Sequence, residues 1–364
     1  KHSRLFPKDA IRNCLEIGNI SINQVDEIAT TSNPLHWVRE TYLRPALEDD
    51  KRIDFLIQDI ERIKSTLKLA ELYKAETGFS GKVTPYLHHV CHVASSYYPS
   101  GFEDALLVSY DGMGEIETGM IATGRGGKID VVNSVNRYPD SLGLIYSAIT
   151  FYLGWQHHCD EGIIMGLAPY GNAEAIIPNS KKSYRDIFRD IIQEKDNYGY
   201  MINRDWISYY EVRDKWISDK FVNIFGLKRE PKSDVTQHHM NIAAALQNRL
   251  EEVVIKQLTH ARKEFGLSKL CLAGGVALNC SMNGAIAKAG IFDEIFVQPA
   301  SGDAGTAIGA CYLSHVAHTG PLKPVKDHNY YLGSRFTESE IEESLKQAGV
   351  TYTRPSNLSK VVAE

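Results

Sequence analysis

The sequence predicts an α/β protein of two lobes with a cleft between them. Three observations carry this expectation. Short apolar runs at 105–110 and 270–273 have strand length, and each enters a glycine turn. Stretches with a single apolar face, such as 141–153 and 239–265, alternate with them as helices. The strand–glycine-turn pattern appears in both halves of a 364-residue chain, which is long enough for two cores.

Each element has its own signal. Residues 6–18 read as a helix, with Ile11, Leu15 and Ile17 apolar and Pro7-Lys8-Asp9 as the first turn. Residues 25–29 suggest a short strand. Within the charged stretch 49–77, Ile53, Leu56, Ile60, Ile63 and Leu67 keep helical spacing, predicting one or two exposed helices with a solvated charged face. A strand over 83–87 leads to His88-His89-Val90-Cys91-His92. Strand 105–110 ends at Asp111, Gly112 and Gly114, and 118–124 and 128–134 read as the next two strands. Leu142, Ile145, Ile149 and Leu153 line one face of helix 141–153. Residues 173–235 carry the weakest pattern and read as an insertion. Ile242, Leu246, Leu250, Val253, Val254, Leu258 and Ala261 form the stripe of a long helix that Gly266 stops. Strand 270–273 then enters Gly274-Gly275, followed by helix 281–289, strand 294–297 and a small-residue helix over 301–315. Residues 1–320 are expected to form the main domain, 321–326 a linker and 327–364 the start of another domain. The chain opens on Lys1 and closes inside what reads as a further element, so a fragment of a longer protein is expected.

Composition narrows the function. Lys and Arg number 40 against 45 Asp and Glu, a net charge of −5, which argues against a broad basic face for nucleic acid. No apolar run reaches the ~20 residues of a membrane span. Six cysteines lie scattered with no CxxC pair, which fits a reducing cytoplasm and indicates neither a zinc ribbon nor a thioredoxin-type site. Oligomeric state leaves no trace in the sequence.

The chemistry concentrates in a few places. On a helix, His88 and His92 share one face at i and i+4, and Asp111 arrives from a strand end. Two neutral imidazoles and carboxylates are the usual shell of zinc, iron or manganese. The alternative is a pair of surface or capping histidines. Gly274-Gly275 with Asn279 sits where a strand turns into a helix, which suits a nucleotide phosphate or simply a tight turn. Asp303 opens a small-residue helix and either caps it or completes the metal shell. His157-His158 beside Asp160-Glu161 form a further polar cluster, expected in a loop.

These motifs together resemble the carbamoyltransferase family of NodU, CmcH and TobZ. The likeness runs through Lys1-His2 with Phe6-Pro7, His88-His89-x-x-His92, Asp111-Gly112-x-Gly114-Glu115, Ser141-Leu142-Gly143, Met165-Gly166-Leu167-Ala168-Pro169-Tyr170-Gly171, Gly274-Gly275-Val276-Ala277-Leu278-Asn279 and Ser301-Gly302-Asp303-Ala304-Gly305. The histidine run, the Gly-Gly turn and the late aspartate are also similar to the enzyme that makes threonylcarbamoyladenosine on tRNA. The resemblance implies a duplicated actin/sugar-kinase-like nucleotide-binding fold. It implies a divalent metal on His88, His92, Asp111 and Asp303, with His88, His92 and Asp111 catalytic. Gly112, Gly114, Gly274, Gly275 and Asn279 would lie beside ATP or carbamoyl-adenylate. It also implies a C-terminal YrdC-like domain that makes carbamoyl-adenylate from carbamoyl phosphate and ATP, before transfer to a hydroxyl of a sugar-like or antibiotic-like acceptor. Two departures stand out: no Gly-His-Asp strand precedes Lys1, and Ile163-Ile164 stands where the family carries a lysine.

Rival readings are a nucleotide- and metal-binding regulatory lobe without chemistry, a tRNA modifier, and a metallopeptidase. The last is weak, because His89 occupies the glutamate position of HExxH. His89 also points away from the face shared by its neighbours, which makes it a poor general base.

Overall fold

The computed structural model describes residues 6–178, 180–196, 198–326 and 329–364, with the side chains of all of these except 51 and 133–135. Lys1 and His2, part of the resemblance above, lie outside the described residues. The described chain falls into two compact units, one of 26–326 and one joining 6–25 to 329–364.

The first element, α1 (Lys8–Gly18), ends on Asn19 in the left-handed conformation. In the larger unit, β1 (Glu27–Thr30) is followed by α2 (Pro34–Val38), a π-helical turn at Arg39–Leu43, and α3 (Arg44–Glu48). Residues 53–77 form three short helices, α4 (Ile53–Gln58), α5 (Ile60–Leu67) and α6 (Leu69–Thr77). The sequence predicts one or two here. The breaks fall at Asp59 and Lys68, and Asp59 is held from outside by Tyr42 Oη (2.5 Å) and Arg213 (2.6 Å). The stripe is also not wholly exposed, since Ile63 is buried against Trp37 and Tyr42.

Strand β2 (Lys82–Pro85) pairs in parallel with β1 and delivers the chain to α7 (His88–Tyr97). Then come β3 (Asp104–Tyr110), β4 (Glu117–Arg125), β5 (Lys128–Arg137), α8 (Leu142–Tyr152) and α9 (Glu161–Leu167). Residues 173–235 are more regular than their polarity suggests. They carry α10 (Tyr184–Ile191), β6 (Ile192–Glu194), β7 (Tyr200–Ile202) and α11 (Asp219–Phe225), and their Tyr184, Phe188, Tyr200, Trp206, Phe221 and Phe225 are buried in the main core. Periodicity missed them because short helices and three-residue strands give too few repeats to register. The long helix α12 (Gln237–Phe265) starts on a Thr236–His239 capping box and stops at Gly266 with φ 68°. β8 (Lys269–Ala273), α13 (Cys280–Lys288), β9 (Glu294–Val297) and α14 (Asp303–Thr319) follow as expected. Residues 321–326 are tied to this unit, with Val325 N–H donating to the Tyr98 carbonyl and Leu322 packed on the core. In the second unit, α15 (Glu338–Gln347) opens on a Thr337–Glu340 capping box, and α16 (Leu358–Ala363) opens on Asn357.

Strands from both halves of the sequence share one mixed sheet, in the order β5-β4-β3-β8-β9. The β5-β4-β3 pairs are antiparallel, while β3-β8 and β8-β9 are parallel. Alternation along the strands splits two cores. Leu106, Val108 and Tyr110 of β3, with Leu270 and Leu272 of β8, join α8 and α12 on one face. Ala105, Leu107 and Cys271 join Val93, Ala94 and Tyr97 of α7 on the other. A sheet covered on both sides explains why β3 and β8 read as continuous apolar runs.

Helix α14 lies directly on α7. A side-chain carbon at Gly309 would overlap the Cys91 carbonyl, so only glycine allows this approach. Gly309→Ala is expected to destabilise the fold by about 1–3 kcal/mol, because the clash is with backbone and cannot rotate away. Gly284→Ala, on α13 with open space around it, should be neutral or stabilising by up to about 1 kcal/mol. Urea unfolding of the two variants checks this; equal midpoints would refute the packing argument.

Candidate metal centre

Four side chains from three elements converge at the end of the sheet. His88 and His92 project from one face of α7, one turn apart. Asp111 follows the last residue of β3, and Asp303 stands in the first turn of α14. Asp111 Oδ2 lies 3.1 Å from His88 Nε2 and 2.8 Å from His92 Nε2, and the two nitrogens are 3.0 Å apart. Asp303 Oδ1 lies 3.5 Å from His88 Nε2 and 3.7 Å from His92 Nε2. All four donor atoms fall within 4.8 Å of one another. Ligands about 2.1 Å from a common ion sit about 3.0–3.4 Å apart in octahedral or tetrahedral arrangements. The observed spacings bracket that range, and two imidazoles with two carboxylates suit zinc, iron or manganese. The donor set therefore fits a divalent metal.

The cluster is closed on one side and open on the other. His92 is fully buried, while the Asp303 side chain is 78% exposed. The N-cap of α14 is Gly302, which has no side chain to cap the helix, and the Asp303 carboxylate faces the histidines. Electrostatics follow from this. Burial disfavours a charged His92, but the adjoining Asp111 and Asp303 carboxylates outweigh it and raise its pKa to about 9. Burial also opposes the Asp111 charge, yet its two histidine partners hold it well below the usual carboxylate range.

Glu115 organises the approach to the cluster. Its buried carboxylate accepts the His88 N–H at 3.2 Å and the Asn33 N–H at 2.7 Å, and the Thr41 hydroxyl donates to its carbonyl. A carboxylate at a helix start is favourable because it meets unpaired N–H groups and the positive end of the dipole. Glu115 stands in the Asp111-Gly112-x-Gly114-Glu115 motif, and no local pattern ties it to the start of α7, 27 residues earlier. His89 turns into the core, with Nδ1 2.8 Å from Ser109 Oγ and Nε2 donating to the Glu117 carbonyl at 2.9 Å. Burial beside His88 pushes its pKa down to about 3.

The glycines of the two turns mark close approaches within the protein. Gly274 adopts φ 91°, and a side-chain carbon there would overlap the Tyr110 carbonyl; one on Gly275 would fall 2.8 Å from Asp111 Oδ1. Gly114 backs the rings of His88 and His89, and Gly112 N–H donates to Asp111 Oδ1 at 2.7 Å. Asn279 caps α13 through Met282 N–H and exchanges two amide hydrogen bonds with Gln247. His157 and His158 stand just beyond the C-terminal end of α8, whereas Asp111 abuts its start. Eleven residues rise about 16 Å, so these histidines are not part of the cluster.

A cluster able to hold a metal ion, carried on the end of a mixed sheet, defines the class of site. Residues 1–312 match the model described as the carbamoyltransferase N-terminus, and the chain belongs to that family. It is 36% identical over 367 residues to the Synechocystis sp. protein sll1178, covering 96% of this chain and 58% of that one. It is 33% identical over 321 residues to nodulation protein NolNO of Sinorhizobium fredii, covering 86% and 42%. The chain thus spans about half the length of the curated relatives it matches. Among solved structures, HypF of T. kodakarensis aligns at 16% identity with a TM-score of 0.36, over 71% of this chain and 40% of that one.

Metal binding should displace a proton, because an imidazole must be neutral to ligate. With His92 raised to about 9, affinity for zinc or manganese is expected to climb from pH 7 to 9 and level off above. Calorimetry in buffers of differing ionisation enthalpy should show about one proton released per ion at pH 7.5. His88→Ala and Asp111→Asn should each lower the metal content of the purified protein; full retention in both would refute the centre.

Proposed function

We propose that this chain is the group-transferring domain of an ATP-dependent O-carbamoyltransferase. In this reading carbamoyl phosphate and ATP yield carbamoyl-adenylate, and the carbamoyl group passes to a hydroxyl of a sugar-like or antibiotic-like acceptor. The observation that carries it is the convergence of His88, His92, Asp111 and Asp303 on one point, in a member of the carbamoyltransferase family. A metal held there supplies Lewis-acid polarisation of a carbonyl or phosphate oxygen.

The protein's own part is positional. Asp111 and the two imidazoles fix the donor atoms on a buried strand end and a buried helix. Glu115 holds the start of that helix. The exposed face at Asp303 is the side from which acceptor and donor reach the centre. Gly112, Gly114, Gly274, Gly275 and Asn279 lie on or just after the two turns beside Asp111, and we assign them to the adenylate as the family resemblance implies. The five-stranded sheet supports placing the domain in the two-lobed actin/sugar-kinase-like class, with a YrdC-like partner domain making the adenylate. No helix among the described residues is long and apolar enough to cross a membrane. No disulfide joins cysteines among the described residues, as a reducing cytoplasm would leave them.

The full-length protein should transfer radiolabelled carbamoyl groups from carbamoyl phosphate to a panel of sugar and aminoglycoside hydroxyls, and should need ATP to do so. His88→Ala or Asp111→Asn should cut transfer about 10²–10³-fold, the scale of losing preorganised electrostatic stabilisation. Transfer that survives both substitutions would remove the centre from the chemistry, and ATP-independent transfer would remove the adenylate.

A further inference from the structure

A second site lies at the other end of α8. The C-terminal turn of this helix, the loop after it and residues 228–235 line an open cavity of about 640 Å³. Three cations line it, Lys228, Arg229 and Lys232, against one carboxylate, Asp160, whose Oδ2 already accepts the Gln156 N–H at 2.9 Å. Among the described residues none of the three cations forms an ion pair. Arg229 is 6% exposed, its Nε donates to the Leu153 carbonyl at 2.5 Å, and its guanidinium lies 4.1 Å from the Trp155 ring centre. The ammonium of Lys228 rests 3.2 Å from the centre of the Phe151 ring. Burial lowers the pKa of both, with only Glu230 pulling Lys228 the other way.

Taking a cation out of water is costly unless a counter-charge meets it. The negative end of α8 and Ser233 account for Arg229, whose guanidinium donates to the Leu153 carbonyl and to the Ser233 carbonyl. They do not account for Lys228, half-buried on an aromatic face; Lys232 stands exposed at the rim, held at φ 68°, a conformation that costs a lysine free energy. His157 Nδ1, also at this cavity, is buried with no partner. A net charge of about +2 matches a phosphate dianion, and the volume suits a small organic molecule. We propose that this cavity binds a phosphate-bearing small molecule, with its oxyanion among Lys228, Arg229 and Lys232 and its body against Trp155 and Val235. The inference does not rest on the carbamoyl reading, because the cavity stands a helix length from the metal-ligand cluster.

The test is calorimetric titration of the full-length protein with inorganic phosphate and with phenyl phosphate, at fixed ionic strength. Saturable binding is expected, tighter for phenyl phosphate, and weakened at least tenfold in Lys228→Met and in Lys232→Met. Both lysines are partly solvent-exposed, so their variants should keep wild-type thermal midpoints and metal content. His88→Ala should bind both probes as the wild type does. The proposal is overturned if neither probe saturates, if both lysine variants bind unchanged, or if binding is lost in His88→Ala alone, since the probe would then sit at the metal-ligand cluster.

Discussion

Leu272 lies beside Val108, and Ala273 beside Ser109, in a parallel pair buried on both faces, and the position of Asp111 is a consequence of that pairing. Two residues after this register the chain on one side must turn with Asp111, and the chain on the other must turn with Gly274-Gly275. Parallel strands end at the same edge of the sheet, so the two turns collide unless one gives up its side chains. It does: Gly274 fits against the Tyr110 carbonyl and Gly275 against the Asp111 carboxylate. Open α/β sheets place ligand sites at the carboxyl ends of parallel strands. Here β3 and β8 build such an edge, and helices α7 and α14 close over it from one face.

The helices set the remaining donors, and they do so by proximity of backbone. Gly309 lets α14 approach α7 until its first turn overhangs His88 and His92. Any bulk at this crossing would separate Asp303 from the imidazoles while leaving each helix intact. The cluster is therefore sensitive to packing a turn and a half away from it. Its charges are also mutually dependent. Without an ion, a charged His92 is stabilised by its carboxylates below its ordinary pKa, and that contribution fades as pH rises through about 9. Asp111 contributes above its ordinary range and loses its contribution as pH falls through its depressed value. An ion replaces the His92 proton as the counter-charge, so metal and proton compete for the same carboxylates.

Much of this was legible in the sequence because it depends on local periodicity. The i, i+4 spacing of His88 and His92, the apolar runs of β3 and β8, and the stripe of α12 each register within one element. The family motifs extended this to Asp111 and Asp303, which no spacing connects to the histidines. Three things were not legible. The sharing of one sheet by β3, which ends at Tyr110, and β8, which starts at Lys269, is a pairing distant in sequence, and a buried strand carries no record of its neighbour. The core role of residues 184–225 depends on aromatic side chains in elements too short to show a period. Glu115 caps a helix that starts 27 residues earlier in the chain, and capping rules look only three residues ahead.

Helix α8 touches both places where chemistry is inferred. At its start, Ser141 Oγ donates to the carbonyls of Asp111 and Gly112, and Gly143 packs against the same peptide with no space for a side chain. At its end, Phe151 supports Lys228 and the Leu153 carbonyl receives Arg229. Coupling two sites requires an element with two arrangements whose balance each ligand shifts. Helix α8 has only a single arrangement: Leu142, Ile145, Tyr146, Ala148, Ile149 and Tyr152 are locked in the main core, and Tyr146 is bonded through Gln247 to the Asn279 cap. A helix fixed along its length by close packing transmits position rather than choice. The physical expectation from this architecture is two sites held in constant register, whose ligands bind with additive free energies.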